Sequence, residues 1–207
     1  MKSNRLLRAA INEEIVLDIL ETLPVKSFEN KRAVICILLL YITGCRINEL
    51  RNFNYINILT LINVGSINIH TYKTKNTRRV DISIEEQKLL ENYMDIIKDF
   101  YSNIKYTNHV LTTIKGKPVH EKYSYIWLNK VLKPYSEKYG VNLLSHSFRI
   151  NYVTSLIKNY NAHIAQTIVG HRNIDTTIRY DRNILTSDEV KKIRSKINNT
   201  LKLTKKG

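Results

Sequence analysis

The run Ile168-Val169-Gly170-His171-Arg172-Asn173-Ile174-Asp175-Thr176-Thr177-Ile178-Arg179-Tyr180 sets an imidazole directly after a glycine and a phenol nine residues beyond it. A glycine after Ile-Val can end a helix and aim the next side chain into a cleft. Upstream lie His146-Ser147-Phe148-Arg149 and, much earlier, Arg46 in Thr43-Gly44-Cys45-Arg46-Ile47-Asn48-Glu49-Leu50. Two arginines, two histidines and one tyrosine are the parts needed to attack a phosphodiester with a phenol. This set directs the reading toward nucleic-acid chemistry.

Each piece alone has a plain alternative. Arg46 at a helix start is ordinarily a surface charge. His146 and Arg149, three apart, share a helix face and can point at one phosphate, but such pairs also mark solvated surfaces. His171 can be a satisfied structural histidine, and with 13 tyrosines in the chain Tyr180 is unremarkable by itself. The information lies in the fixed order of the pieces, with a basic hairpin between the first arginine and the HxxR pair.

The chain has 207 residues, the size of one ordinary domain, and a formal net charge of +15. Such an excess implies a polyanionic partner, because Lys and Arg gain by releasing counterions condensed on nucleic acid. Membrane surfaces and ribosomes attract basic proteins as well. Cys36 and Cys45 fall in one apolar helical stretch and read as buried reduced thiols, forming neither a disulfide framework nor a zinc site. The longest apolar run, Ala33 to Thr43, is too short to span a bilayer, and Asn12-Glu13-Glu14 follows the basic N-terminus where a signal core would be apolar. A soluble intracellular protein is expected.

Periodicity predicts helices over Asn12–Leu23, Phe28–Gly44 capped by Ser27, and Ile47–Asn52. The β-branched runs Ile58–Val64, Ser66–Tyr72 and Arg79–Ile82, separated by Gly65 and a Lys-Thr-Lys-Asn-Thr-Arg turn, predict a small antiparallel meander with a basic loop. Helices follow over Ile84–Tyr101, His120–Lys138, Ser145–Lys158, Ala162–Val169, Thr176–Tyr180 and Ser187–Leu201, with a short extended piece at His109–Thr113. The fold class expected is α+β, mainly α-helical. Residues 1–11 read as a basic arm, 12–186 as one domain, and 187–207 as a terminal helix with a basic tail.

On these boxes the chain resembles the catalytic domain of the tyrosine recombinase and phage-type integrase family. Thr43–Leu50 is similar to its T-G-x-R-x-x-E-L box, Leu144–Arg149 to its HxxR box, and Ile168–Tyr180 to its L-G-H-x8-Y run. The resemblance implies Tyr180 as nucleophile, Arg46 and Arg149 as phosphate clamps, and His146 and His171 as proton-transfer or hydrogen-bonding partners. It further implies a catalytic lysine on the hairpin turn, with Lys73 the best match and Lys75 the fallback, and Glu49 as the acid that buttresses Arg46. Lys75, Arg78 and Arg79 are expected to contact DNA, and the stretch Lys115 to Lys130 its backbone. Ile150 stands where many relatives have another histidine, and Asp181-Arg182 replace the smaller or aromatic residues usual after the tyrosine.

The implied chemistry is physically coherent. A phenol with a pKa near 10 needs a base to take its proton as it attacks phosphorus. Guanidiniums can stabilise the charge that grows on the non-bridging oxygens, and a lysine ammonium can protonate the leaving 5′ oxygen. Neither a cofactor nor a metal is called for. The resemblance implies double-stranded DNA as partner, a homo-oligomer that is a tetramer in synapsis, and a location with DNA in a bacterial cytoplasm or organelle nucleoid. It covers residues 12 to about 200, so a catalytic domain without a separate N-terminal core-binding domain is expected, as in single-domain fimbrial switch invertases. The tail, with Val190, Ile193, Ile197 and Leu201 at helical spacing, can pack in cis or on a neighbouring protomer. Two other readings are a catalytically idle DNA-binding relic with the same fold and a basic RNA- or ribosome-associated protein.

Overall fold

The computed structural model describes residues 9–71 and 76–181. Helix α1 spans Glu13–Thr22, and the Asn12 side chain caps it by accepting from the Ile15 N–H. Helix α2 spans Phe28–Thr43, with Ser27 accepting from the Asn30 N–H at its start. Every residue from Ala33 to Leu40 is buried, so this helix is apolar all round because neighbours enclose it on all sides. Helices α5 (Met94–Ser102) and α7 (Ser147–Asn159) both pack against it. Cys36 is fully enclosed there, and burial pushes its thiol up to about 12, the property of an inert core thiol.

A 3₁₀ turn over Ile47–Asn52 follows α2. Next comes a departure from expectation: Ile58–Val64 belongs to a helix, α3 (Tyr55–Val64). Asn54 and Asn57 cap one another's backbone N–H groups at its start, Ile58 and Leu61 turn into the core, and Gly65 ends it at φ 74°. The β-branched content suggested a strand, but β propensity is a weak preference that caps and one buried face override. The expected meander is therefore a two-stranded hairpin, β1 (Ser66–Thr71) antiparallel to β2 (Asn76–Asp81), with Ile67 opposite Val80 and Ile69 opposite Arg78.

The long helix expected over Ile84–Tyr101 is broken at Tyr93 into α4 (Ile84–Asn92) and α5. Helix α6 spans Glu121–Lys138, and α8 spans Ala162–Val169. Helix α9 covers only Ile174–Ile178, so Tyr180 sits in the turn beyond it rather than within the helix. Packing runs from α2 to α7, from α7 to α8, and from α8 to both α9 and β2, which gathers the quoted motifs at one end of the bundle. The expected helix over Ser187–Leu201 lies outside the described residues. Among the described residues no helix is long and apolar enough to cross a membrane.

Candidate active site

The site is built where the C-terminal ends of α2 and α8 meet. Gly44 ends α2 at φ 59° and Gly170 ends α8 at φ 66°, both in the left-handed region that favours glycine. A Cβ on Gly44 would overlap the Tyr152 ring, and one on Gly170 would come within 3.3 Å of Arg78 Cδ. The motif glycines thus serve backbone conformation and close approach together.

Two guanidiniums bridge these helix ends. Arg149, from α7 and fully buried, donates through Nη1 to the Gly44 carbonyl at 2.7 Å and through Nη2 to the Val169 carbonyl at 3.1 Å. Arg78, from β2, donates to the Ile168 carbonyl at 3.2 Å and lies 3.5 Å from the Thr43 carbonyl and 3.2 Å from Cys45 Sγ. Carbonyls at a helix C-terminus have no partner within the helix and carry the negative end of the dipole, so each cation meets complementary charge there. The Nε atoms of both arginines are buried without a hydrogen-bond partner.

Glu49 is the anion among them. Its Oε2 accepts from the Arg46 backbone N–H at 3.0 Å, and its Oε1 accepts from Arg46 Nη1 at 3.0 Å. The same carboxylate lies 3.7 Å from Arg78 Nη2. Arg46, Arg78 and Arg149 together face one carboxylate, which leaves a positive surplus in a poorly solvated place, the condition for binding an anion. Arg149 is lowered to about 10, first by burial and then by the Arg46 charge. Arg46 borders two cavities, one of about 610 Å³ lined also by Asn48, Arg51, His120 and Tyr125, the other of about 750 Å³ lined also by His163, Gly170, His171 and Arg172.

His171 is buried, and its Nε2 lies 3.0 Å from Arg149 Nη2 while its Nδ1 lies 2.9 Å from Thr177 Oγ1. A guanidinium can only donate, so Nε2 carries the lone pair and the ring is neutral. Burial, then the Arg149, Arg46 and Arg78 charges, push this imidazole down to about 3. Its Nε2 is thus placed to accept a hydrogen bond from Arg149. His146 is placed differently. Its Nε2 lies 3.0 Å from the Tyr180 phenol oxygen, within reach to take that proton. The Tyr180 ring runs near-parallel to His171, with centroids 5.7 Å apart, and its carbonyl accepts from Thr154 Oγ1 at 3.1 Å.

The structure thus brings Arg46, Glu49, His146, Arg149, His171 and Tyr180 together. Lys73 and Lys75 lie outside the described residues. Arg78, expected to contact DNA, is instead turned inward as a member of the cationic cluster. Alternation in the hairpin required this, since Arg78 shares the buried face of Val80 while Arg79 takes the exposed one. Arg79 pairs with Asp81 at 2.7 Å, with most of both side chains in solvent. Sequence reasoning also passed over Thr177, a buried partner of His171 whose only outward signal is its place between His171 and Tyr180. Among the described residues, no group of three or more His, Cys, Asp or Glu side chains is placed to hold a metal ion.

Comparison with known proteins agrees with this geometry. The chain is 26% identical over 182 residues to tyrosine recombinase XerA of Pyrococcus furiosus, covering 87% of this chain and 59% of that protein. It is 29% identical over 143 residues to a tyrosine recombinase of Agathobacter rectalis, covering 69% of this chain and 44% of that one. The chain therefore spans about half the length of the curated relatives it matches. Among solved structures, the XerH site-specific recombinase bound to its difH substrate superposes with a TM-score of 0.66 at 19% identity, over 92% of this chain and 55% of that one. The fold is that of tyrosine recombinase catalytic domains. The model of the phage integrase family matches residues 10–186, nearly everything from α1 to beyond Tyr180, and the chain belongs to that family.

Proposed function

We propose that this protein cuts and rejoins double-stranded DNA at a specific site through a covalent 3′-phosphotyrosyl intermediate. The observation that carries the reading is the 3.0 Å approach of the Tyr180 phenol to His146 Nε2 beside a cluster of guanidiniums with surplus positive charge. His146 takes the phenol proton as Tyr180 Oη bonds to phosphorus. The bond from phosphorus to the 5′ oxygen breaks, and that oxygen gains a proton from Lys73, with Lys75 as the fallback donor. The phosphotyrosyl bond conserves the energy of the broken linkage, so a 5′ hydroxyl of another strand can reverse the step without a nucleotide cofactor. Arg46, a quarter exposed at the cavities, meets the phosphate directly, while the enclosed Arg149 acts through its fixed charge.

In this reading residues 12–186 are the catalytic domain, residues 1–11 an N-terminal basic arm and residues 187–207 a C-terminal extension. The partners are double-stranded DNA and further copies of the chain, four in the synapsed assembly, and the protein works inside the cell with DNA. Assembly multiplies the DNA contacts that one protomer makes. Similarity to tyrosine recombinases, and a fold shared with the XerH recombinase solved on its difH substrate, support this reading.

The test needs no knowledge of the target site. Supercoiled plasmid is mixed with the protein in EDTA and quenched with SDS, beside Tyr180→Phe. Relaxed DNA and a covalent adduct are expected with the parent chain and absent from the variant, which retains DNA affinity. Tight binding with no adduct from either chain would replace this reading with that of a catalytically idle DNA binder.

A further inference from the structure

Thr177 is fully buried and touches both halves of the site. Its side-chain oxygen lies 2.9 Å from His171 Nδ1, and its carbonyl accepts from the Tyr180 N–H at 2.9 Å. The tautomer of His171 follows from its other neighbour. Because Arg149 Nη2 is a donor with no lone pair, the ring presents a bare Nε2, and the proton of the neutral imidazole resides on Nδ1. That proton needs an acceptor, and Thr177 Oγ1 supplies it where water does not reach.

We propose that Thr177 is a positioning residue of the reaction: its hydroxyl accepts the Nδ1 proton of the His171 tautomer that Arg149 requires, and its backbone ties that ring to the segment bearing Tyr180. The inference rests on the recombinase reading for its kinetic consequence only. Without the hydroxyl the ring has two options. Keeping the proton on Nδ1 leaves a buried donor unsatisfied. Moving it to Nε2 sets a donor against the Arg149 donor across 3.0 Å, which drives the guanidinium from its place between the Gly44 and Val169 carbonyls. Either outcome weakens the hold on Arg149, which links the ends of α2 and α8 two residues before Arg46. The Tyr180 side is held twice, by the Thr177 carbonyl and by the Thr154 hydroxyl on the Tyr180 carbonyl. Orienting the ring therefore orients the nucleophile segment too.

Thr177→Val keeps the shape and removes the hydroxyl, whereas Thr177→Ser keeps the hydroxyl. Long-range proton–nitrogen spectra of the ¹⁵N-labelled full chain read the tautomer without DNA, with the His171 signals assigned by their loss in His171→Gln. The parent chain and Thr177→Ser are expected to show a protonated Nδ1 and a bare Nε2. Whichever nitrogen keeps the proton, Thr177→Val is expected to form plasmid adduct on the order of ten- to a hundredfold more slowly, while serine restores the rate. A proton on Nε2 in the parent chain would overturn the proposal, as would adduct formation by Thr177→Val at the parent rate. If the valine variant does not fold, the parent and serine spectra decide. If the parent chain forms no adduct, the recombinase reading fails and the tautomer is still judged by the spectra.

Discussion

Nε2 of His146 lies 3.0 Å from the phenol oxygen of Tyr180, while the second histidine of the site, His171, turns its Nε2 to Arg149 at the same distance. The two imidazoles therefore turn their Nε2 atoms to different partners, one to the Tyr180 phenol and the other to the guanidinium. His146→Ala is expected to slow adduct formation by roughly a hundredfold or more, the usual worth of a positioned general base. Plasmid affinity should stay near that of the parent chain. Quenched time courses beside a binding titration separate the two, and a parallel loss of affinity would move His146 from proton transfer to DNA binding.

The depressed His171 sets a pH dependence of stability. Its folded value is about 3 against an ordinary 6.5, so between these pH values the unfolded chain binds a proton that the folded one refuses. Stability is then full above about pH 6.5 and is lost as pH falls toward 3. Thermal melts across this window should show a steeper acid loss for the parent chain than for His171→Gln, which has no imidazole to protonate.

Glu49 holds Arg46 and faces Arg78, so neutralising it leaves the cationic cluster unopposed. Glu49→Ala is expected to cost roughly 3 kcal/mol, at the low end for a broken buried pair because Arg46 retains access to water. Inorganic phosphate should raise the melting temperature of Glu49→Gln more than that of the parent chain, since an added anion compensates the charge. Equal shifts in both proteins would argue against an anion site at the cluster.

Gly44→Ala forces a side chain into both a left-handed backbone and the Tyr152 ring. A loss of about 1 to 3 kcal/mol is expected from the conformation, with more from the overlap. Adding Tyr152→Ala should recover only the overlap, and a double-mutant cycle of chemical denaturation measures how much.

The two hairpin arginines should behave oppositely. Arg79→Ala leaves stability nearly unchanged and lowers the salt slope of DNA binding by about 1 if its guanidinium meets a phosphate. Arg78→Ala removes a buried cation from two helix ends and is expected to lower the melting temperature. Were Arg78→Ala to change only the salt slope, its inward placement would be wrong.

Much of this was legible from local rules. Asn12, Ser27 and Asn161 start helices where a short polar side chain precedes an apolar pattern, and Gly44 and Gly170 stop them. The same rules predict a strand at Ile58–Val64, where the Asn54–Asn57 caps and the buried Ile58–Leu61 face override β-branched composition. The short helix expected to run through Tyr180 ends two residues earlier, and the Tyr180 N–H donates to the Thr177 carbonyl in the turn beyond.

By itself the sequence determined the order of the chemical groups, the helical character of the chain and its positive surplus, because caps, glycine breaks and charge act over a few residues or over the whole composition. Only the tertiary structure decided that Arg149 reaches the Gly44 carbonyl 105 positions away, that Arg78 turns inward, and that Nε2 of His146 comes within hydrogen-bond distance of the phenol oxygen while Nε2 of His171 goes to Arg149. The physical reason is that carbonyls left open at two helix ends attract cations from any part of the chain. Which ends meet is set by the packing of α2, α7 and α8, and sequence periodicity contains no record of that choice.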